Sequence, residues 1–113
     1  MPFISVKTSA KLSEQVKLGI EQELTEAISL LPGKTPRYFM CAVEDNISMM
    51  FHSDKAPTAF VEVKIFGRST REAYTALTAE ICDILRENAG VEPDFCYVKF
   101  EEVENWGFNK GLF

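Results

Sequence analysis

Histidine and cysteine, which carry most metal and thiol chemistry, are scarce in this sequence. A single His, at position 52, cannot build a histidine-rich metal site. Cys41, Cys82 and Cys96 are odd in number, with no CxxC and no Cys/His pair at metal-ligating spacing. Neither a closed disulfide framework nor a metal centre is expected. No GxGxxG, P-loop, HExxH or GxSxG occurs, and no motif calls for a cofactor. Positive charge is short as well. Twelve basic against 17 acidic side chains leave a net charge of −5, which argues against nucleic acid or an anionic membrane as a partner. No stretch approaches the roughly 18 apolar residues of a membrane span. The opening Met1-Pro2-Phe3-Ile4-Ser5-Val6-Lys7 lacks the long apolar segment of a secretory leader. A soluble, cytoplasmic protein is expected, with any export following a leaderless route.

What remains is ample for a core. Of 113 residues 46% are apolar, nine of them Phe, and the length suits a single domain over 1–113. The chain also repeats itself once: residues 3–45 align with 60–102 without a gap. Phe3-Ile4-Ser5-Val6-Lys7 lies over Phe60-Val61-Glu62-Val63-Lys64, and Gly33 and Pro36 lie over Gly90 and Pro93. Each half opens with period-2 alternation and continues with an apolar stripe at helical spacing. In the first half the stripe is Val16, Ile20, Leu24, Ala27, Ile28 and Leu31; in the second, Ala73, Leu77, Ile81, Ile84 and Leu85. Ser13 and Thr70 are the expected N-caps. Gly33 and Gly90 are placed just past each helix, with Pro36 and Pro93 blocking its continuation. A second strand closes each half, at roughly 37–44 and 94–101, and Ile47–Phe51 is expected to add a small strand between them.

The expected fold is thus α/β (α+β): two pseudo-symmetric β-α-β repeats, with both helices on one face of a mixed four-stranded sheet. Alternation directs Phe39, Cys41, Val43, Cys96, Val98 and Phe100 toward the helices. Tyr38, Met40, Ala42, Phe95, Tyr97 and Lys99 go to the other face, with Phe3 and Phe60. That much uncovered aromatic surface points to self-association through the sheet.

Several residues stand out for chemistry. Removal of Met1 would leave Pro2 as a free secondary amine, able to act as a base if burial and nearby cations lower its proton affinity. Lys34 sits in a short Pro/Gly turn from which it can meet an anion. Lys99 lies mid-strand on the uncovered face, where it either pairs with an acid such as Glu62 or Glu101 or faces an anionic ligand. His52 reads as an exposed turn residue. Cys41 and Cys96 read as small buried hydrophobes, and Glu101-Glu102-Val103-Glu104 as a solvated strand end.

Pro2-Phe3-Ile4, Gly33-Lys34-Thr35-Pro36, Tyr97-Val98 and Asn105-Trp106-Gly107-Phe108-Asn109 occur in an order that resembles the tautomerase superfamily. The resemblance is to the branch of macrophage migration inhibitory factor and D-dopachrome tautomerase, and it covers the whole chain. It implies a homotrimer with sites between subunits and a keto–enol tautomerase of phenylpyruvate or dopachrome type, with Pro2 as general base. By the same resemblance, Lys34 meets the substrate carboxylate, Tyr97 arrives from a neighbouring subunit, and Phe108 lies on the pocket rim. Phe66 replaces an isoleucine whose backbone contacts ligand, narrowing the pocket. Lys99 replaces an asparagine, and Phe39 joins Phe66, Tyr97 and Phe108 as apolar walls. Thr58 and Val61 stand where the mammalian cytokine has its CxxC, so thiol-oxidoreductase activity is not implied. The expected partners are copies of the chain and a small α-keto acid or aryl enol. Two alternatives stay open: a cytokine-like or host-mimic signalling protein with a protein receptor, and a tautomerase of hydroxymuconate-type dicarboxylates.

Overall fold

The computed structural model describes residues 2–113. Met1, whose removal the reading of Pro2 requires, lies outside the described residues. The elements run β1 (Pro2–Thr8), α1 (Glu14–Ala27), β2 (Met40–Glu44), β3 (Ala59–Phe66), α2 (Arg71–Ala89) and β4 (Cys96–Val103). A terminal hairpin follows, β5 (Gly107–Phe108) and β6 (Gly111–Leu112). The main sheet has the order β2-β1-β3-β4. Its outer pairs, β1 with β2 and β3 with β4, are parallel, and the central pair is antiparallel. Two β-α-β units therefore meet across β1 and β3, as the internal repeat implies.

Each helix begins where a cap is available. The Ser13 hydroxyl accepts the Val16 N–H at 3.1 Å, and the Thr70 hydroxyl accepts the Ala73 N–H at the same distance. The apolar stripes then pack on the inner sheet face, against Ile4, Val6, Val61, Val63 and Ile65. Ile20, Leu24, Leu77, Ile81 and Leu85 are fully buried there, each worth about 1.5–3 kcal/mol in transfer from water. Asn88 joins the two helices, its amide donating to Glu23 at 2.6 Å. Gly90 closes α2 in the left-handed conformation, φ 69°, as expected.

Four expectations are corrected. Gly33 is not the end of α1, which stops at Ala27 and passes into a 3-10 turn over Ile28–Leu30. Instead Leu31–Lys34 form a type II turn, with Pro32 at its second position, Gly33 at φ 79° in its third, and the Lys34 N–H bonded to the Leu31 carbonyl at 3.0 Å. Residues 36–38 and 93–95 form 3-10 turns, started by Pro36 and Pro93, so β2 and β4 begin later than expected. Ile47–Phe51 is no strand. Its backbone is tied to the end of β1 through the Ile47 N–H and Thr8 carbonyl, and Phe51 makes a lone bridge to Asp54. The uncovered face is also less aromatic than alternation implied. Phe95 leaves the sheet to pack partly against the core, and Tyr38 leaves it for a turn. The face carries Phe3, Phe60, Met40 and Tyr97 interleaved with Lys7, Glu44, Glu62, Lys64, Lys99 and Glu101.

Candidate active site

Pro2 is the first residue of β1 and is buried, paired in register with Ile65 of β3. It opens onto a cavity of about 720 Å³. Phe3 lies beside it, the turn and strand start Arg37–Met40 form one wall, Trp106–Phe108 form another, and Lys64 completes the lining.

Local sequence explains each wall. The type II turn brings Lys34 and the following 3-10 turn back over the head of β1. There Tyr38 and Phe39 face the cavity rather than extending β2. The second wall is held by the hairpin, whose two-residue loop Asn109-Lys110 has φ values of 51° and 71°, the positive pair that a type I′ turn requires. Phe113 folds back, its N–H bonded to the Trp106 carbonyl at 3.1 Å. Its ring stacks on Phe108 at 5.5 Å, and Tyr38 meets Phe108 edge-on at 5.7 Å, joining the walls through aromatic contacts.

Three residues singled out from the sequence, Pro2, Phe39 and Phe108, line this cavity together. Lys34 lies beside it: its ammonium donates to the Phe66 carbonyl at 2.9 Å, one residue beyond the partner of Pro2. The Phe66 ring sits 6.0 Å from Phe113 and borders a separate groove with Gly67, Arg68 and Glu102–Glu104. Tyr97 and Lys99 are not brought to the cavity of their own chain. Tyr97 is exposed in the row of Lys7 and Phe60, five residues or roughly 17 Å along β1 from Pro2, and packs on Phe51 at 4.8 Å. Lys99 shares a row with Ser5 and Glu62 and pairs with Glu101 at 2.8 Å, with Glu62 at 3.9 Å. Its hydrogen bond to Glu101 holds the ammonium above the usual lysine range, and that of the Glu101 carboxyl below the usual carboxylate range.

Sequence reasoning passed over Arg37, Tyr38, Lys64 and Trp106 as lining residues. The guanidinium of Arg37 lies over the Tyr38 ring at 5.2 Å. The lining thus holds two cations and no carboxylate, in a chain whose acids outnumber its bases. His52 is exposed at a turn with φ 54° and packs on Phe51 with the rings tilted, centroids 3.9 Å apart. The cysteines are half-buried and free. Burial pushes the Cys96 thiol up to about 12, with Cys82 adding to the effect, and raises Cys41 also, so thiolate chemistry has no footing at either. Among the described residues no cluster of His, Cys, Asp and Glu is placed to hold a metal ion, and no helix is long and apolar enough to cross a membrane.

Known proteins share both sequence and shape with this chain. A "D-dopachrome decarboxylase" of Xenopus tropicalis is 26% identical over 111 residues, covering 97% of this chain and 93% of its own. The crystal structure of Leishmania major MIF2 superposes with a TM-score of 0.93 at 23% identity, covering all of this chain and 97% of the other. A macrophage migration inhibitory factor homologue from Prochlorococcus marinus gives a TM-score of 0.90 at 27% identity, with 98% of both chains covered. The family pattern of macrophage migration inhibitory factor matches residues 1–111, and the chain belongs to that family.

Proposed function

We propose that this protein is a keto–enol tautomerase of aryl 2-oxo acids, with the nitrogen of Pro2 as its base once Met1 has been removed. The observation that carries the reading is the position of Pro2, buried at the head of β1 and opening onto an aromatic-walled cavity that contains cations and no acid. Enolisation needs a base at the carbon next to the carbonyl and positive charge near the oxygens that gain electron density. The Pro2 nitrogen takes the proton from that carbon, the C=C bond forms as the carbonyl π pair moves to oxygen, and the proton is returned to that oxygen. Neighbouring cations disfavour the protonated amine and so keep the base available near neutrality.

Lys34 takes the substrate carboxylate in this scheme. One of its three N–H bonds goes to the Phe66 carbonyl, and two remain for an incoming anion. Phe39 and Phe108 serve as apolar walls, with the Phe66 ring behind Phe113. Tyr97 and Lys99 belong to the site only in a homotrimer, in which the exposed face of β4 meets the cavity of a neighbouring subunit.

The test joins intact mass with kinetics. The active protein should weigh one methionine less than the full sequence, and a correctly trimmed Pro2→Gly should lose at least tenfold in phenylpyruvate ketonisation while keeping its fold. A fully active protein that retains Met1, or a trimmed Pro2→Gly with undiminished turnover, overturns the reading.

A further inference from the structure

We propose that Lys64 and Arg37 form a second anion-binding locus in the Pro2 cavity, distinct from Lys34, so that the substrate is an aromatic 2-oxo acid bearing a second carboxylate. The inference deepens the reading above and rests on it for the reacting end of the molecule. Lys64 lies on the uncovered face of β3, flanked in register by Phe3 on one side and Glu101 on the other. Glu101 is the natural cross-strand partner for that ammonium. Its carboxylate is instead held by Lys99 at 2.8 Å, and among the described residues Lys64 makes no ion pair. Lys64 acts on Glu101 only at longer range, and its charge is available to the cavity it lines. Lys64 is half-buried and lines a cavity whose other walls are largely apolar, which makes an anionic ligand the fitting complement of its charge.

Arg37 adds the geometry. It stands three residues after Lys34, steadied over the Tyr38 ring, and a guanidinium presents a planar fork matched to a carboxylate. Phe3, Tyr38, Trp106 and Phe108 supply rings to sandwich an aryl group between the two polar ends. A volume of about 720 Å³ falls in the range that takes an extended ligand of this kind.

Two pairs of probes test the proposal. Phenylpyruvate and 4-carboxyphenylpyruvate report turnover; cinnamate and 4-carboxycinnamate, which have no proton to transfer, report binding through the fluorescence of Trp106, the chain's one tryptophan. The wild type should favour the dianion of each pair about tenfold, the scale of one charge-assisted contact. Lys64→Gln and Arg37→Gln should each shrink that ratio toward one, at a lower salt dependence. Equal binding of the two cinnamates by the wild type, or a preference that survives in both variants, overturns the proposal. If neither keto acid turns over but the cinnamate preference persists and depends on Lys64, the anion locus stands and the tautomerase reading falls.

Discussion

The Lys34 ammonium donates a 2.9 Å hydrogen bond to the Phe66 carbonyl, tying the turn after α1 to the end of β3. Because Phe66 follows the residue paired with Pro2, that bond sets the distance between a cation and the head of β1. Lys34→Met keeps the aliphatic stem and deletes the donors. It should lower kcat/KM for phenylpyruvate by about ten- to a hundredfold, chiefly through KM, as expected for the loss of a charge-assisted contact. Steady-state kinetics decide it; unchanged KM would leave Lys34 as a strut for the turn and no more.

The pairing of Lys99 with Glu101 has a consequence one strand away. Glu101 faces Lys99 two residues back along β4 and Lys64 across the β3–β4 pair, and it can satisfy one of them fully. In Lys99→Asn, Glu101 is released to Lys64, and of the two cations of the lining the Lys64 charge is neutralised. The preference for 4-carboxyphenylpyruvate over phenylpyruvate should then fall severalfold, and Lys99→Asn/Glu101→Gln should restore it. If the double variant stays impaired, Lys99 acts on substrate directly, as a ligand contact in a neighbour's site.

How much of this was legible in the sequence follows from the range of the interactions involved. Ser13 and Thr70 were readable as caps because a cap bonds three residues away, and the stripe through Ile20 and Leu24 because helical geometry is local. The repeat was readable because both halves carry the same order of local signals. Gly33 was misplaced because a glycine with positive φ suits a helix end and a type II turn alike, and only the 3-10 turn after Ala27 separates them. Tyr38 was assigned to a strand that Pro36 delays. Pro2 and Lys34 stood out by their place in the chain, and Phe108 through the family resemblance. Lys64 and Arg37 did not, since Lys64 reaches Pro2 only through the antiparallel register that sets Ile65 opposite the chain start. No pattern within either strand encodes that pairing.

Core packing makes a prediction independent of function. Leu77 is fully buried in the middle of α2 against the inner sheet face, with no solvent side on which the site can relax. Leu77→Ala should cost about 2–5 kcal/mol in urea unfolding, enough to reduce a domain of this size to marginal stability. A loss below about 1 kcal/mol would mean that the helix closes over the cavity and that the packing of α2 is looser than described.

Asp45 offers a pH test with a defined sign. One carboxylate oxygen accepts the Leu12 N–H at 2.7 Å and the other meets the Lys17 ammonium at 3.2 Å, fastening the end of β2 to the segment entering α1. Lys17 also pairs with Glu14 at 2.9 Å, so these are the charges that face the group. The Leu12 N–H first, and Lys17 after it, hold the Asp45 carboxyl below the usual carboxylate range. A group whose affinity for protons is lower folded than unfolded contributes stability above its unfolded value, about 3.9 for aspartate, and loses that contribution as pH falls through its folded value. Asp45→Asn keeps the shape and one acceptor but turns an amide toward Lys17. The melting temperature should fall by a few degrees at pH 7, as for the loss of one such linkage in a small domain. The gap between variant and wild type should hold down to about pH 5, narrow through pH 4, and close at lower pH as the wild-type carboxyl takes up its proton. Thermal unfolding of both proteins across that range measures it. A gap that is constant from pH 7 to the acid limit would show that Asp45 acts through its shape alone, and that charge has no part in fastening β2 to α1.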